Sequence, residues 1–294
     1  YQGIFRANVL LTKLPAVPMD AISIARFTAE TKALRAFYYF NLVRMFKNVP
    51  LLLEPLTAGN MNDVVQASSV EVYDQIEKDL TEAITDLPSN IPPAEYGRIT
   101  KGIAQALLGK VYLFNNKNSL AAAQLAEVNG TPGGTSQYGY RLLTNYADLW
   151  VPANKFNSES IFECSHTSQG NGGWGNWGQG TDEGNTVNVM VGPRGYVRKN
   201  PSTAPFLPSG WSFNIFTQDF YDFIKTDPRS TATLFNLDAL VAANQVEPYI
   251  AGDQNTGFFL NKFLPRQSDV TTGGGDAVLN YRQDTYIIRL ADTY

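Results

Sequence analysis

Apolar residues recur at helical spacing through most of the first 130 positions. Between Asp20 and about Lys47 they return every three or four residues, and the run from Ala36 to Phe40 is apolar on nearly every face. A helix with so little polar surface packs inside a core. We therefore predict a long, largely buried helix over this segment.

Local capping signals mark further helices. Ser68-Ser69-Val70-Glu71 is typical of a capping box, in which the serine side chain accepts from a free amide and the glutamate reaches back. It predicts a helix that ends at Pro88. Thr100 and Ser119 precede two shorter apolar patterns, so we expect each of them to cap a helix.

The last two of these helices match a repeat pattern. Tetratricopeptide repeats place Leu-Gly-x-x-Tyr on one helix and Ala-x-x-x-Phe on the next, followed by proline. The first part is Leu108-Gly109-Lys110-Val111-Tyr112; Ala121 and Leu125 supply the second with leucine for phenylalanine, and Pro132 lies one residue from its expected place. Gly109 would let the partner helix approach closely. A chance match in an alanine-rich hairpin is the alternative, since a true repeat needs neighbours to bury its apolar face.

The helical pattern gives way to loops from about Gly130. Glycine, asparagine and aromatic residues become frequent, and we predict only short elements, including a strand over Ile161 to Ser165 and a helix over Thr217 to Ile224. The predicted fold class is mainly α. It has a tetratricopeptide-like helical part over residues 1–130 and a loop-rich part with a few short strands over residues 131–285.

Both ends of the chain fall within helical patterns. Tyr1, Ile4 and Leu11 share one helical face without a preceding cap, and residues 286–294 continue a period that predicts the start of a further helix. We expect residues 1–294 to be a single-domain fragment of a longer protein, the alternative being a natural chain with frayed ends. The missing signal peptide is then no argument for a cytoplasmic location. No run reaches the about 18 apolar residues of a membrane span.

Charge composition excludes one large class of partners. Charged residues make up 17% of the chain, and 23 basic against 27 acidic residues give a net charge of −4. Without a positive field, nucleic-acid binding loses its main source of affinity. We therefore expect no nucleic-acid partner.

The scarcity of histidine and cysteine removes most metal and nucleophile chemistry. Cys164 and His166, the one cysteine and the one histidine, supply too few ligands for zinc and no oriented base. The glycines at 170, 172 and 175 fit G-x-G-x-x-G, but no helix follows them to bind phosphate. Asp253-x-Asn255-x-Gly257 opens like a calcium loop and lacks the later glutamate. We expect no bound metal or cofactor.

Carboxylates leave an enzymatic alternative open. Asp182-Glu183, Asp219, Asp222 and Asp227 could supply the two groups of a glycosidase. Nothing in their spacing selects a pair, so we interpret them as solvated surface acids. We expect no catalytic residues.

The positive candidate is the glycine- and tryptophan-rich loop over residues 170–178. Aromatic rings on polar loops suit carbohydrate, because sugar C–H faces lie flat on the rings while amide and backbone groups bind the hydroxyls. Exposing a large aromatic side chain is otherwise unfavourable. We predict ligand contacts from Trp174 and Trp177, with Tyr196 and Trp211 further along the same region. The alternative is that one or both loop tryptophans fold back as packing.

Ordered blocks of sequence along most of the chain carry a family resemblance. They are Tyr1-x-x-Ile4-x-x-Ala7-Asn8, residues 29–51 with Lys47-Asn48 where glycine is commoner, residues 71–88, residues 97–102, residues 159–163, Asp227-Pro228-Arg229 and residues 288–292. In this order they resemble the SusD/RagB family of outer-membrane nutrient-binding lipoproteins from Bacteroidetes.

The resemblance implies a fold, a location and a partner. It implies a tetratricopeptide-like scaffold with long loops, anchored at the cell surface by a lipid on an N-terminal cysteine that this sequence lacks. The implied partner is a SusC-like TonB-dependent transporter, and the implied activity is non-catalytic capture of oligosaccharide by an aromatic platform after residues 159–162, the region of Trp174 and Trp177. RagB-like members handle peptides, so peptide capture is the alternative.

Overall fold

The computed structural model describes residues 1–170, 173–175, 183–252, 254–270 and 275–294, and their contacts separate into two units. The helical unit comprises Tyr1–Leu142, Ser158–Phe162 and Ile287–Tyr294. The loop-rich unit comprises Leu143–Asn157 and Glu163–Tyr286. The chain therefore leaves the helical unit and returns to it twice.

Five helices build the helical unit. They are α1 (Gln2–Lys13), α2 (Ala21–Phe46), α3 (Ser69–Asp86), α4 (Lys101–Phe114) and α5 (Asn118–Asn129). Each helix packs against the next one along the chain. Their apolar faces share one core, which includes the fully buried Tyr39, Phe40, Ile76, Leu80 and Leu108. The mainly helical, tetratricopeptide-like scaffold predicted from the sequence is confirmed.

Polar side chains cap three of these helices, and the sequence predicts two of the caps, Ser68 and Thr100. The Asp20 carboxylate accepts from the Ser23 amide at 2.9 Å and begins α2. At α3, the Glu71 amide donates to Ser68 Oγ at 3.3 Å while the Ser68 amide donates to Glu71 Oε2 at 2.8 Å. Thr100 caps α4. The predicted capping box and its helix are confirmed.

The start of α5 differs from the prediction. Ser119 lies inside the helix, which begins at Asn118 after Lys117, and no side chain caps it. Lys117 is held instead by an ion pair, in which its Nζ lies 2.6 Å from Glu77 Oε2 of α3. A contact between helices therefore fixes this turn, and it leaves no signal in the local sequence.

Gly109 marks the close approach of α4 and α5. A Cβ atom at this position would lie 2.5 Å from Leu125 Cδ2 and 3.5 Å from the Ala121 carbonyl oxygen. The predicted close approach at Gly109 is confirmed, and the nearest neighbour is a leucine side chain rather than the partner backbone.

A buried ion pair joins α2 to α3. Arg35 Nε donates to Asp79 Oδ2 and Arg35 Nη2 to Asp79 Oδ1, both at 2.8 Å, while the two residues are only 6% and 1% exposed. Arg35 Nη1 also donates to Asn8 Oδ1 of α1 at 2.9 Å. Asn8 in turn donates to the carbonyls of Leu52 and Glu54 at 2.8 and 3.2 Å. Three helices and the segment after α2 thus meet in one polar network.

The strands are short and paired two by two. They are β1 (Val49–Pro50), β2 (Gln66–Ala67), β3 (Ser160–Cys164), β4 (Leu234–Asn236), β5 (Phe258–Leu260) and β6 (Thr285–Arg289). Among the described residues, β1 pairs with β2, β3 with β6 and β4 with β5. The strand predicted over Ile161 to Ser165 is confirmed as β3.

The predicted C-terminal helix over residues 286–294 is wrong. Thr285–Arg289 form strand β6, and a single 3-10 turn follows at Leu290–Asp292. The β-branched Ile287 and Ile288 favour a strand, and a short apolar run of this kind does not distinguish helix from strand by its period. Ile288 and Leu290 are buried in the core of the helical unit.

Short helices and long loops make up the loop-rich unit. Its helices in the described part are α6 (Val187–Val191), α7 (Gln218–Ile224), α8 (Ser230–Thr233) and α9 (Leu237–Ala242). The helix predicted from Thr217 is confirmed as α7, whose first turn Thr217 caps. A separate apolar cluster with Leu237, Phe259 and Leu264 at its centre forms its core. None of the described helices is long and apolar enough to cross a bilayer.

Removal of the buried carboxylate tests the polar network. We expect Asp79→Ala to lower the free energy of unfolding by about 3–5 kcal/mol, because the Arg35 charge stays buried without its partner. Urea denaturation followed by circular dichroism measures the loss.

The matched control lies between the same two helices. Lys32 Nζ contacts Glu82 Oε2 at 2.6 Å, and both side chains are partly exposed. Lys32→Ala is expected to cost less than about 1 kcal/mol. Equal losses for Asp79→Ala and Lys32→Ala would contradict a special role of the buried pair.

Candidate functional site

Three aromatic side chains of the loop-rich unit form a continuous row. The rings of Trp174 and Trp211 stack with centroids 5.7 Å apart and planes at 27°, and the Trp211 and Phe213 rings follow at 5.6 Å and 59°. Trp174 is 52% and Phe213 50% exposed, while Trp211 between them is half-buried. We call Trp174, Trp211 and Phe213 the aromatic row. The rings of Trp174 and Phe213 are exposed, and both contact the partly buried ring of Trp211.

Backbone hydrogen bonds hold two members of the aromatic row in place. The four amides of residues 210–213 donate to carbonyls of residues 189, 190, 192 and 193, at 2.7 or 2.8 Å. These acceptors lie at the end of α6 and just after it. Trp211 and Phe213 therefore rest on a segment fixed over all four residues, although it belongs to no helix or strand.

Ser212 turns the backbone between the two aromatic residues. Its φ of 59° and the 54° of Asn214 lie in the left-handed region, which costs about 1–3 kcal/mol for a residue with a side chain. Ser212 is buried, and its Oγ accepts from the Arg194 amide at 2.9 Å. This conformation buries the serine while Phe213 beside it remains exposed.

The segment lies so close to its support that one position requires glycine. A Cβ atom on Gly210 would lie 2.4 Å from the Gly192 oxygen and 2.5 Å from the Gly192 carbonyl carbon. Since both are backbone atoms, no side-chain rotation relieves the overlap. Gly210 therefore allows the close backbone contact with Gly192 that positions the adjacent Trp211.

Trp174 reaches the row from a different loop. Its amide donates to Asp276 Oδ2 at 3.0 Å. The second tryptophan predicted in this loop, Trp177, lies outside the described residues. Ligand contact by Trp174, Trp177 and Trp211 stays a prediction, and the structure adds that Trp174 and Trp211 stack on one another.

The structure does not support Tyr196 as a ligand contact. Tyr196 is only 7% exposed and packs in the core cluster of the loop-rich unit. Its hydroxyl donates to the Pro205 carbonyl at 2.7 Å, and burial raises the pKa of that hydroxyl. With its ring covered and its hydroxyl bonded, Tyr196 offers no face to a sugar.

Phe213 is the member of the row that the sequence interpretation missed. Its signal in the sequence is an aromatic residue two positions after Trp211. Phenylalanine at such a position is equally typical of core packing, so the sequence alone does not assign it to a binding surface.

Two of the carboxylates considered for catalysis, Asp222 and Asp227, are engaged as ionised surface groups. Arg229 donates to both oxygens of Asp227 and lowers the pKa of that carboxyl to about 2. Hydrogen bonds from Lys225 and Gln218 lower the pKa of Asp222. Neither group carries a proton to donate at neutral pH, whereas a glycosidase acid needs a raised pKa. Asp182 lies outside the described residues.

Cys164 and His166 lack the features of a nucleophile pair. Burial raises the pKa of the Cys164 thiol and lowers the pKa of the His166 imidazole. The nearby Asp284 accepts from the His166 backbone amide at 2.8 Å and from Lys155. A thiol with a raised pKa is a poor nucleophile. Within the described ranges no group of three or more metal-ligating side chains occurs, and Asp253 of the calcium-like sequence lies outside them.

Sequence relatives match the chain along its whole length. Residues 1–113 match a SusD-like family model described as starch-binding and associating with the outer membrane. A SusD-like protein of Formosa agariphila is 25% identical over all of this chain and 55% of its own length, and a SusD-like protein of Bacteroides ovatus is 24% identical over all of this chain and 52% of its own. The chain thus spans about half the length of these curated relatives.

Solved structures share the fold of this chain. A laminarin-binding SusD-like protein is 62% identical and superimposes with a TM-score of 0.97, covering all of this chain and 63% of the other. Surface glycan-binding protein A from Bacteroides thetaiotaomicron, solved with laminarihexaose, shares the fold at 24% identity and a TM-score of 0.85, over all of this chain and 61% of its own.

The fold and the aromatic row define a tetratricopeptide-like scaffold that carries a loop-borne aromatic surface. The chain is similar along its whole length to SusD-like proteins, and residues 1–113 match the SusD-like family model.

A methyl group on Gly210 tests the support of the aromatic row. We expect Gly210→Ala to lower the free energy of unfolding by about 1–3 kcal/mol through backbone overlap and to change the tryptophan fluorescence of the row. Thermal unfolding and emission spectra measure both effects. Gly59→Ala is the control, because a Cβ atom there would meet only Thr57 Oγ1 at 3.7 Å. Unchanged emission in Gly210→Ala would argue against this support.

Proposed function

We propose that the chain binds a glycan without catalysis and that the aromatic row is its platform. The observation that carries the proposal is the pair of half-exposed rings, Trp174 and Phe213, on either side of Trp211. Burial of such rings against sugar C–H faces would recover the cost of exposing them. The laminarin-binding relative at 62% identity supports laminarin as the candidate ligand.

Polar groups beside the row suit sugar hydroxyls. A cavity of about 310 Å³ begins at the residue after Phe213, and Asn214, Thr217 and Gln254 are among the residues that line it. Amide and hydroxyl side chains both donate and accept hydrogen bonds, as sugar hydroxyls do. Small-molecule sites combine such polar groups with aromatic and apolar side chains.

The state of the carboxylates favours binding over hydrolysis. The pKa values of Asp222 and Asp227 are lowered, so neither serves as the protonated acid that glycoside cleavage requires. This favours a binding protein that releases its glycan unchanged. Peptide capture would instead be favoured by tryptophans packed inside, and Trp174 is half exposed.

The partner and location that we propose follow the family. A SusC-like TonB-dependent transporter would accept the captured oligosaccharide, and a lipid anchor would hold the whole protein at the outer-membrane surface. The family description, which names association with the outer membrane, supports this location.

Co-purification tests the partnership. Purification of the full-length, tagged protein from its own membrane should bring the transporter with it. Absence of the transporter, under conditions that retain other outer-membrane complexes, would count against the partnership.

Truncation of the exposed rings tests glycan binding. We expect Trp174→Ala and Phe213→Ala each to weaken the binding of laminarihexaose by about tenfold, equivalent to about 1.4 kcal/mol, with little change in thermal midpoint. Trp211→Ala should lower both affinity and stability, because Trp211 is half-buried. Isothermal titration calorimetry measures the affinities.

The control for these variants is an exposed aromatic residue outside the row. Phe223 on α7 is 82% exposed, so Phe223→Ala should bind laminarihexaose as the unaltered protein does. Maltohexaose and a xylogluco-oligosaccharide serve as comparison glycans. Unchanged affinity in Trp174→Ala would overturn the assignment of the platform, and release of shorter sugars from laminarihexaose would overturn the non-catalytic function.

A further inference from the structure

A second cavity in the loop-rich unit shares no lining residue with the aromatic row. It has a volume of about 350 Å³, and Trp150, Asn261, Lys262, Arg266, Asp269 and Arg282 are among its lining residues. A volume of about 300 Å³ or more is enough for a small organic ligand. Its wall has one large aromatic side chain and several charged ones.

The charges that line this cavity do not balance. Three cations, Lys262, Arg266 and Arg282, face one carboxylate, Asp269. Asp269 is already engaged, because Arg282 Nη2 lies 3.1 Å from its Oδ1. Within the described part of the chain, neither Lys262 nor Arg266 has a carboxylate oxygen within 4.0 Å. Lys262 and Arg266 are thus left without a carboxylate in direct contact, and the Asp269 charge acts on Arg266 only at longer range.

Arg266 is held where its charge is poorly solvated. Burial is the main cause that lowers the pKa of its guanidinium, which nevertheless remains charged at neutral pH. To the described residues, its guanidinium donates one hydrogen bond, from Nη2 to Asn261 Oδ1 at 2.9 Å. A guanidinium has five N–H donors, so most of its capacity is free for a ligand. A partly buried cation gains most from an anionic partner.

Lys262 is held by aromatic rings instead of an acid. Its Nζ lies 4.7 Å from the Trp150 ring centroid and 5.4 Å from that of Tyr146. Cation–π contacts of this kind hold an ammonium without neutralising it. The Lys262 charge therefore remains available to an anion that enters beside the Trp150 ring.

We propose that this cavity binds an oxyanion, a carboxylate or sulfate group carried by a small molecule or present as the free ion. Arg266 and Lys262 would bind the anion. Where a sugar or another ring carries the anionic group, Trp150 would contact that ring. The proposal is independent of laminarin binding, because a neutral glucan carries no negative charge to balance these two cations.

Three small probes test the cavity in the unaltered chain. We expect inorganic sulfate and glucuronate to bind saturably at low ionic strength and glucose not to bind, as measured by calorimetry. Tighter binding of glucuronate than of sulfate would indicate an anionic sugar, and the reverse order would indicate the free ion. Either order supports the oxyanion site, whereas equal binding of glucose and glucuronate would overturn it.

Two variants assign the binding to the cavity. Arg266→Ala and Lys262→Met should each weaken sulfate or glucuronate binding by at least about tenfold, since each removes a charge-assisted contact. Lys225→Met is the matched control, because Lys225 is exposed and paired with Asp222 on α7. Laminarihexaose affinity should stay unchanged in all three variants, which also reports on folding. Unchanged anion binding in Lys262→Met and Arg266→Ala, or an equal loss in Lys225→Met, would overturn the proposal.

Discussion

The ion pair between Arg35 and Asp79 sets the register of the first three helices. Apolar contacts are non-directional, so a core of alanine, leucine and isoleucine tolerates small rotations of its helices. Two nearly buried charges do not, because each oxygen and N–H must meet a partner in one geometry. Asn8 extends this requirement to α1 and to the Leu52 and Glu54 carbonyls after α2. The scaffold therefore depends on a polar interaction placed inside an apolar core.

The sequence predicted those parts of the scaffold that depend on neighbours in the chain. Asp20, Ser68 and Thr100 cap their helices through residues three positions away, so the signal is visible locally. The pair of Arg35 and Asp79 is 44 residues apart, and each residue alone resembles a charge on a solvent-facing surface. The helix prediction for the C-terminal segment was wrong for the same reason. Ile287 and Ile288 are compatible with a helix and with a strand, and pairing with the distant β3 selects the strand.

The candidate site was predictable in composition but not in arrangement. Tryptophan in a glycine-rich loop indicated a surface role, and Trp174 is indeed half exposed. Trp174 and Trp211 stack although they are 37 positions apart. Backbone hydrogen bonds to the end of α6 hold Trp211, and a bond to the Asp276 carboxylate holds the Trp174 amide; neither contact follows a period in the sequence. Tyr196 lies in the same region and has the same aromatic character, yet it packs in the core. Aromatic content alone does not separate a platform from a core.

The helical unit is completed by residues far from its helices. Ile161, Phe162, Ile288 and Leu290 belong to its core, although most of the loop-rich unit lies between these two stretches of sequence. During synthesis on the ribosome, α1–α5 emerge long before the strand that contains Ile288. The apolar surface that Ile288 and Leu290 cover stays open until the loop-rich unit has been translated, so closure of this core is a non-local step in folding.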